Sequence, residues 1–173
     1  MSSDKVHVMV DIETYDTQRT AMIASIGAIT MHRADQAMFY GEYSTDGQYG
    51  RTKSEATLAW WKEQNIPIPL SGLYLEQGLK DFAKYLADLR AEPIIWCKGT
   101  DFDTAILAHA YTQYGYPVPW KYNNIRDMRT LKKCHPQLHY ITNPNPHHAL
   151  QDAINQANHL NQIFAYNQYL QWE

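Results

Sequence analysis

The run Val6-His7-Val8-Met9-Val10 is short, rich in β-branched residues and followed directly by Asp11-Ile12-Glu13, which reads as an apolar strand ending in two carboxylates. Side chains alternate across a strand, so Asp11 and Glu13 share one face of a sheet. Carboxylates this close repel one another, and either one takes up a proton or a cation lies between them. A strand end that simply opens into solvated acids is the plain alternative, and the triplet alone does not choose.

The rest of the chain supplies a sheet for that strand. Residues 23–31 read as a second strand, with Gly27 a candidate bulge, and residues 37–43 as a third, giving an early meander. Ser54 is placed to cap a helix running to Gln64 and ended by Pro67 and Pro69. Residues 75–90 carry Leu79, Phe82, Leu86 and Leu89 at helical spacing, and Pro93 introduces the buried-strand run 94–97. Helices are expected over 103–114, stopped by Gly115, over about 126–134, and over 148–169. This order fits an α/β fold, a mixed β-sheet flanked by α-helices. At 173 residues with 45% hydrophobic and 19% charged composition, one folded domain over 1–173 is the expectation.

No apolar run approaches the ~18–20 residues of a membrane span, and Met1 to Lys5 does not lead into a signal-peptide core. Cys97 and Cys134 lack disulfide-framework and zinc-ligand spacing, so a reducing, cytoplasmic setting is expected. The net charge of -3 advertises no nucleic acid, yet acids gathered around divalent cations would invert the local sign.

Two further segments carry carboxylates to places where chemistry happens. In Gly99-Thr100-Asp101-Phe102-Asp103 the buried strand hands over to a helix, where open α/β sheets bind ligands. Asp101 as helix N-cap and Asp103 as a dipole partner are the plain readings. In His147-His148-Ala149-Leu150-Gln151-Asp152, His147 stands at a helix entrance and Asp152 one and a half turns in. A capping histidine, or a His148–Asp152 surface pair at i,i+4, explains the segment without catalysis.

Taken together in chain order, these segments resemble the DEDDh, or DnaQ-like, 3'-5' exonucleases of the RNase-H-like superfamily. Asp11-Ile12-Glu13-Thr14 matches the first motif, Phe102-Asp103 the second, and His-x-Ala-x-x-Asp from His147 to Asp152 the third. Residues 24–29, Thr57-Leu58-Ala59-Trp60-Trp61, Trp96-Cys97-Lys98-Gly99, Pro119-Trp120 and residues 126–130 are similar to the small RNase AS-like and phage exonuclease subgroup, which extends the likeness over nearly the whole chain. The resemblance implies an RNase-H-like mixed sheet and two divalent cations, Mg²⁺ or Mn²⁺. Asp11, Glu13 and Asp152 would hold one ion, with Asp11 bridging to a second supported by Asp103. His147 would act as general base toward the attacking water. Thr14, Tyr15 and Phe102 would seat the terminal nucleotide, Tyr15 either stacking a base or packing at an edge. The product would be a 5'-mononucleotide, the substrate a single-stranded 3' end with RNA favoured over DNA, the assembly a homodimer, and the source a bacterium or its phage.

Helical geometry keeps Trp60 and Trp61 from facing the same way, so one belongs in the core and the other at a cleft or partner. An aromatic content of 13%, more than one small core readily absorbs, adds to the expectation of a dimer. Arg126 and Arg129, read as i,i+3 on the short helix, either clamp phosphates or a partner's acids, or pair internally. Two other classes compete with the exonuclease: a non-catalytic module that binds nucleic acid or protein, and a phosphodiesterase for dinucleotides. Loss of a metal-binding acid or of His147 would favour the binding module, and none is lost.

Overall fold

The computed structural model of the 173-residue chain describes residues 4–32, 35–65, 73–140, 143, 145–167, 170 and 172. Three strands come first: β1 (Lys5–Thr14), β2 (Ile23–Met31) and β3 (Met38–Glu42). Helices α1 (Glu55–Glu63) and α2 (Leu75–Asp88), strand β4 (Glu92–Cys97) and helix α3 (Asp103–Gln113) follow. Strand β5 (Ile125–Asp127), α4 (Met128–Cys134) and α5 (Ala149–Tyr166) complete the chain. The sheet order is β3-β2-β1-β4-β5, with β1–β2 and β2–β3 antiparallel and β1–β4 and β4–β5 parallel.

The alternation of β1 divides the core into two layers. Val6, Val8, Val10 and Ile12 face α2 and α3, where Leu79, Phe82, Ile106 and Leu107 close over them. Met9 faces the other way and packs with Ala153, Ala157 and Leu160 of α5 and Met128 of α4. Asp11 and Glu13 have the parity of Met9, so both carboxylates point toward the layer that carries α5.

Gly27 sets how closely α5 can approach. It stands opposite Asp11 in regular register, and the one register irregularity of the β1–β2 pair falls between Glu13 and Thr14, so Gly27 is no bulge. A Cβ at Gly27 would lie 2.2 Å from the Leu150 nitrogen and 2.3 Å from the Ala149 carbonyl carbon. The helix backbone therefore rests directly on the strand, one turn before Asp152.

Several ends differ from expectation. Residues 125–127 are a strand, where the sequence suggested that the short helix begins at Arg126; Asp127 caps that helix instead, accepting from the Arg129 nitrogen at 2.7 Å. The α3 N-cap is Phe102, without a side-chain cap bond, and Asp101 does not serve. Ser54 caps α1 as expected, its Oγ accepting from the Thr57 nitrogen at 3.1 Å. Pro67 and Pro69, expected to end that helix, and the 168–169 end of the last helix lie outside the described residues. No helix among the described residues is long and apolar enough to cross a membrane.

Candidate active site

Strand β1 and helix α5 bring Asp11, Glu13 and Asp152 together, with one carboxylate oxygen from each lying within 4.8 Å of the others. Asp11 and Asp152 are fixed from behind. Gln156 Nε2 donates to Asp11 Oδ1 at 2.7 Å. Asn143 Nδ2 donates to Asp152 Oδ1 at 3.0 Å, and the His147 backbone nitrogen donates to Asp152 Oδ2 at 2.7 Å. Asp152 is thus turned toward His147 and Asn143 rather than toward His148, the plain alternative for this segment.

Asp103 stands behind the trio at the start of α3, buried, with Oδ1 accepting from the Ile12 backbone nitrogen at 3.2 Å. Its charge reaches both β1 acids. Burial, followed by the charges of Asp103 and Glu13, raises Asp11 well above the usual carboxylate range, against the lowering bond from Gln156. Glu13 is pushed up to about 8 by burial and then by Asp152 and Asp103. Burial lifts Asp103 itself to about 7, opposed by the Ile12 N–H and by the nearby Arg129 guanidinium. Among the described residues none of these four carboxylates forms an ion pair with a lysine or arginine. An all-oxygen donor set, crowded and short of positive charge, fits a hard divalent cation.

His147 sits at the rim with its backbone in the left-handed region, φ 65. Its ring meets Trp60 edge-on at 4.6 Å. His148, not His147, caps α5: its Nδ1 accepts from the Gln151 nitrogen, and its ring stacks on Tyr40 at 4.4 Å. Beside the carboxylates lies a cleft of about 480 Å³ whose walls include Glu13, Thr14, Thr57, Trp60, Trp61 and Phe102. Trp61 is buried and donates from Nε1 to the Thr14 carbonyl at 3.0 Å, while Trp60 is 38% exposed and faces the opening.

Phe102 and Thr14 therefore line the cleft as expected, but Tyr15 does not. Its side chain is 2% exposed and belongs to the core, so it presents no face to a base. Thr14 still pairs, with Ile23, Ala24 being the extra residue on β2, and Tyr15 follows the end of β1 and is buried there. Asp16 is occupied locally: bonds from the Thr52 side chain, the Thr17 and Gln18 amides and the Ser54 side chain hold its carboxyl below its ordinary value. Arg126 and Arg129 are not helical neighbours. Arg126 on β5 donates to the Asn123 carbonyl at 2.8 Å and borders a separate cavity with His7 and Trp96, whereas the charge of Arg129, on α4, reaches Asp103. Gln156 and Asn143 escaped the sequence reading. Gln156 carried a signal, four residues after Asp152 on the same helix face; Asn143, in a polar loop, carried none.

Solved structures share this architecture. Product-bound exonuclease I superposes with TM-score 0.65 at 13% identity, over 95% of this chain and 44% of its own, so the chain spans less than half of that protein. The nuclease domain of 3'hExo, a DEDDh family member bound to rAMP, gives 0.62 at 10% identity over 98% and 96%. Exonuclease X in complex with 5' overhanging duplex DNA gives 0.60 at 15% over 95% and 94%. At these identities the likeness is one of fold, the RNase-H-like α/β fold expected from the sequence. No curated protein matches the sequence. The 3'-5' exoribonuclease Rv2179c-like domain matches residues 6–164, a span that takes in all four carboxylates and His147, and the chain belongs to that family.

Proposed function

We propose that this chain is a metal-dependent 3'-5' exonuclease that releases 5'-mononucleotides from single-stranded ends, preferring RNA to DNA. The observation that carries the reading is the carboxylate trio within 4.8 Å, with no ion pair from a basic residue among the described residues to neutralise it and with His147 at its rim. Asp11, Glu13 and Asp152 would hold a divalent cation, and Asp103, reaching Asp11 electrostatically, would support a second. Bound there, Mg²⁺ or Mn²⁺ would neutralise the scissile phosphate and stabilise its entering and leaving oxygens.

The chain's own groups do the remaining work. A ring nitrogen of His147 takes the proton from the water that attacks phosphorus in line. The bond to the 3' oxygen of the penultimate nucleotide breaks, and that oxygen leaves with the shortened strand. Gln156 and Asn143 keep the Asp11 and Asp152 oxygens aimed inward. Trp60 and Phe102 form apolar walls beside Glu13, suited to the terminal nucleoside. A paired end would have to fray to seat its last phosphodiester, which favours single strands.

Mg²⁺-dependent digestion of end-labelled RNA and DNA of matched sequence tests the reading. Asp11→Ala and Asp152→Ala are expected to abolish turnover, and near-normal activity in either overturns it. A kcat/KM ratio favouring DNA overturns the RNA preference. The homodimer expected from the resemblance and the aromatic excess belongs to this proposal: the core takes up Tyr15, Tyr43, Tyr111, Trp61, Trp96 and Trp120, while Tyr49, Tyr74, Tyr122 and Tyr166 stay exposed. Light scattering that returns the mass of one 20.1 kDa chain removes it.

A further inference from the structure

Two lysines from different elements converge on one aromatic ring beside the carboxylates. Lys98 follows β4 and Lys132 lies on α4, and their Nζ atoms stand 5.1 and 4.1 Å from the centroid of Tyr140. Both are half-buried, and among the described residues neither forms an ion pair. Ammonium groups gathered in this way repel: burial and then the charge of Lys98 lower the pKa of Lys132. The negative face of the ring offsets part of that repulsion, and an anion offsets far more.

Arg129 adds a third positive charge. It precedes Lys132 by three residues, hence on the same side of α4, and its Nη2 donates to the Lys98 carbonyl at 2.8 Å. Gly99, with φ 128, makes room for it, since a Cβ there would come within 2.7 Å of Nη2. The ring is anchored too, meeting His159 edge-on at 5.1 Å and bonded through its hydroxyl to the Asn155 side chain.

The basic group borders the acids and takes no part in the walls of the cleft. Glu13 lines the cleft, while Asp152 and Asp11 act electrostatically on Tyr140. With the scissile phosphate at the acids and the terminal nucleoside in the cleft, the strand's next phosphate would lie outside the cleft beside the acids, where a positive surface would hold it. Resting on the exonuclease reading above, we propose that Lys98, Lys132 and Tyr140, extended by Arg129, form an upstream phosphate subsite that directs the enzyme to strands of three or more nucleotides over dinucleotides. A dinucleotide without a 5' phosphate has one phosphate group only, and the acids claim it.

Two measurements test this. In a His147→Ala background with Mg²⁺, binding of a fluorescent single-stranded hexanucleotide is followed by anisotropy at several salt concentrations. Lys98→Gln/Lys132→Gln is expected to weaken binding tenfold or more and to flatten the salt slope by about 0.7 for each phosphate that the variant fails to neutralise. With His147 intact, the ratio of kcat/KM for hexanucleotide over unphosphorylated dinucleotide should fall at least tenfold in that variant and recover in Lys98→Arg/Lys132→Arg. An unchanged affinity and slope, or an unchanged ratio, overturns the subsite. If the unaltered chain cuts no strand with Mg²⁺, the exonuclease reading fails, and the binding comparison alone then decides for or against the lysines.

Discussion

His147 and His148 are adjacent in sequence and differently placed. The left-handed backbone at His147 throws its ring toward Trp60 and the cleft, while His148 turns back to cap α5. Replacing His147 with alanine is expected to lower kcat by about 10² to 10⁴, the range for a positioned base. His148→Ala should instead lower stability by about 0.5–2 kcal/mol, the usual value of a cap, and cost far less turnover. Steady-state kinetics beside urea denaturation checks both, and equal losses in kcat would mean the roles are misassigned. The strict two-residue period of a strand made the shared face of Asp11 and Glu13 legible in the sequence. The period says nothing of Tyr15, which lies one residue past the end of β1 and is buried there, and no residue type in that segment announces it.

Long periodic elements were legible for the same reason: α2 and α5 each repeat an apolar face over many turns. β5 was not, since three residues hold too little pattern to compete with the helical run that follows, and only its pairing with β4 makes it a strand. The reason for Gly27 was equally hidden, because a glycine in a strand does not say which backbone will lean on it. Gly27→Ala is expected to push α5 away from β2 and to cost about 1–3 kcal/mol, as overpacking does. Asp152 and His147 ride on that helix end, so kcat should fall at least tenfold along with stability. Urea denaturation and kinetics on the same sample test this, and a variant with unaltered turnover would show that the helix end need not touch the strand.

For the whole molecule, the crowded acids couple stability to pH and to metal. In the metal-free fold Glu13 holds its proton up to about 8 and Asp103 up to about 7, against ordinary values of 4.5 and 3.8. Between about pH 4 and 8 the folded chain therefore binds more protons than the unfolded one, and its stability falls as pH rises through that window. In EDTA, Tm should drop between pH 5.5 and 8.0. Mg²⁺ should raise Tm more at pH 8.0 than at 5.5, because the cation and the protons compete for the same oxygens. Thermal denaturation under the four conditions checks the sign, and Asp11→Asn should shrink the difference. The hydrogen bond from Gln156 to Asp11 joins positions 145 residues apart, and its consequence concerns the birth of the protein rather than its equilibrium. During synthesis the sheet strands and Asp103 emerge well before α5, so a growing chain that has not yet made residues 147–156 owns acids but neither Asp152 nor His147. On the exonuclease reading proposed above, cutting a strand would need α5 docked as well as the β1 acids in place, so a growing chain still lacking residues 147–156 would be inactive.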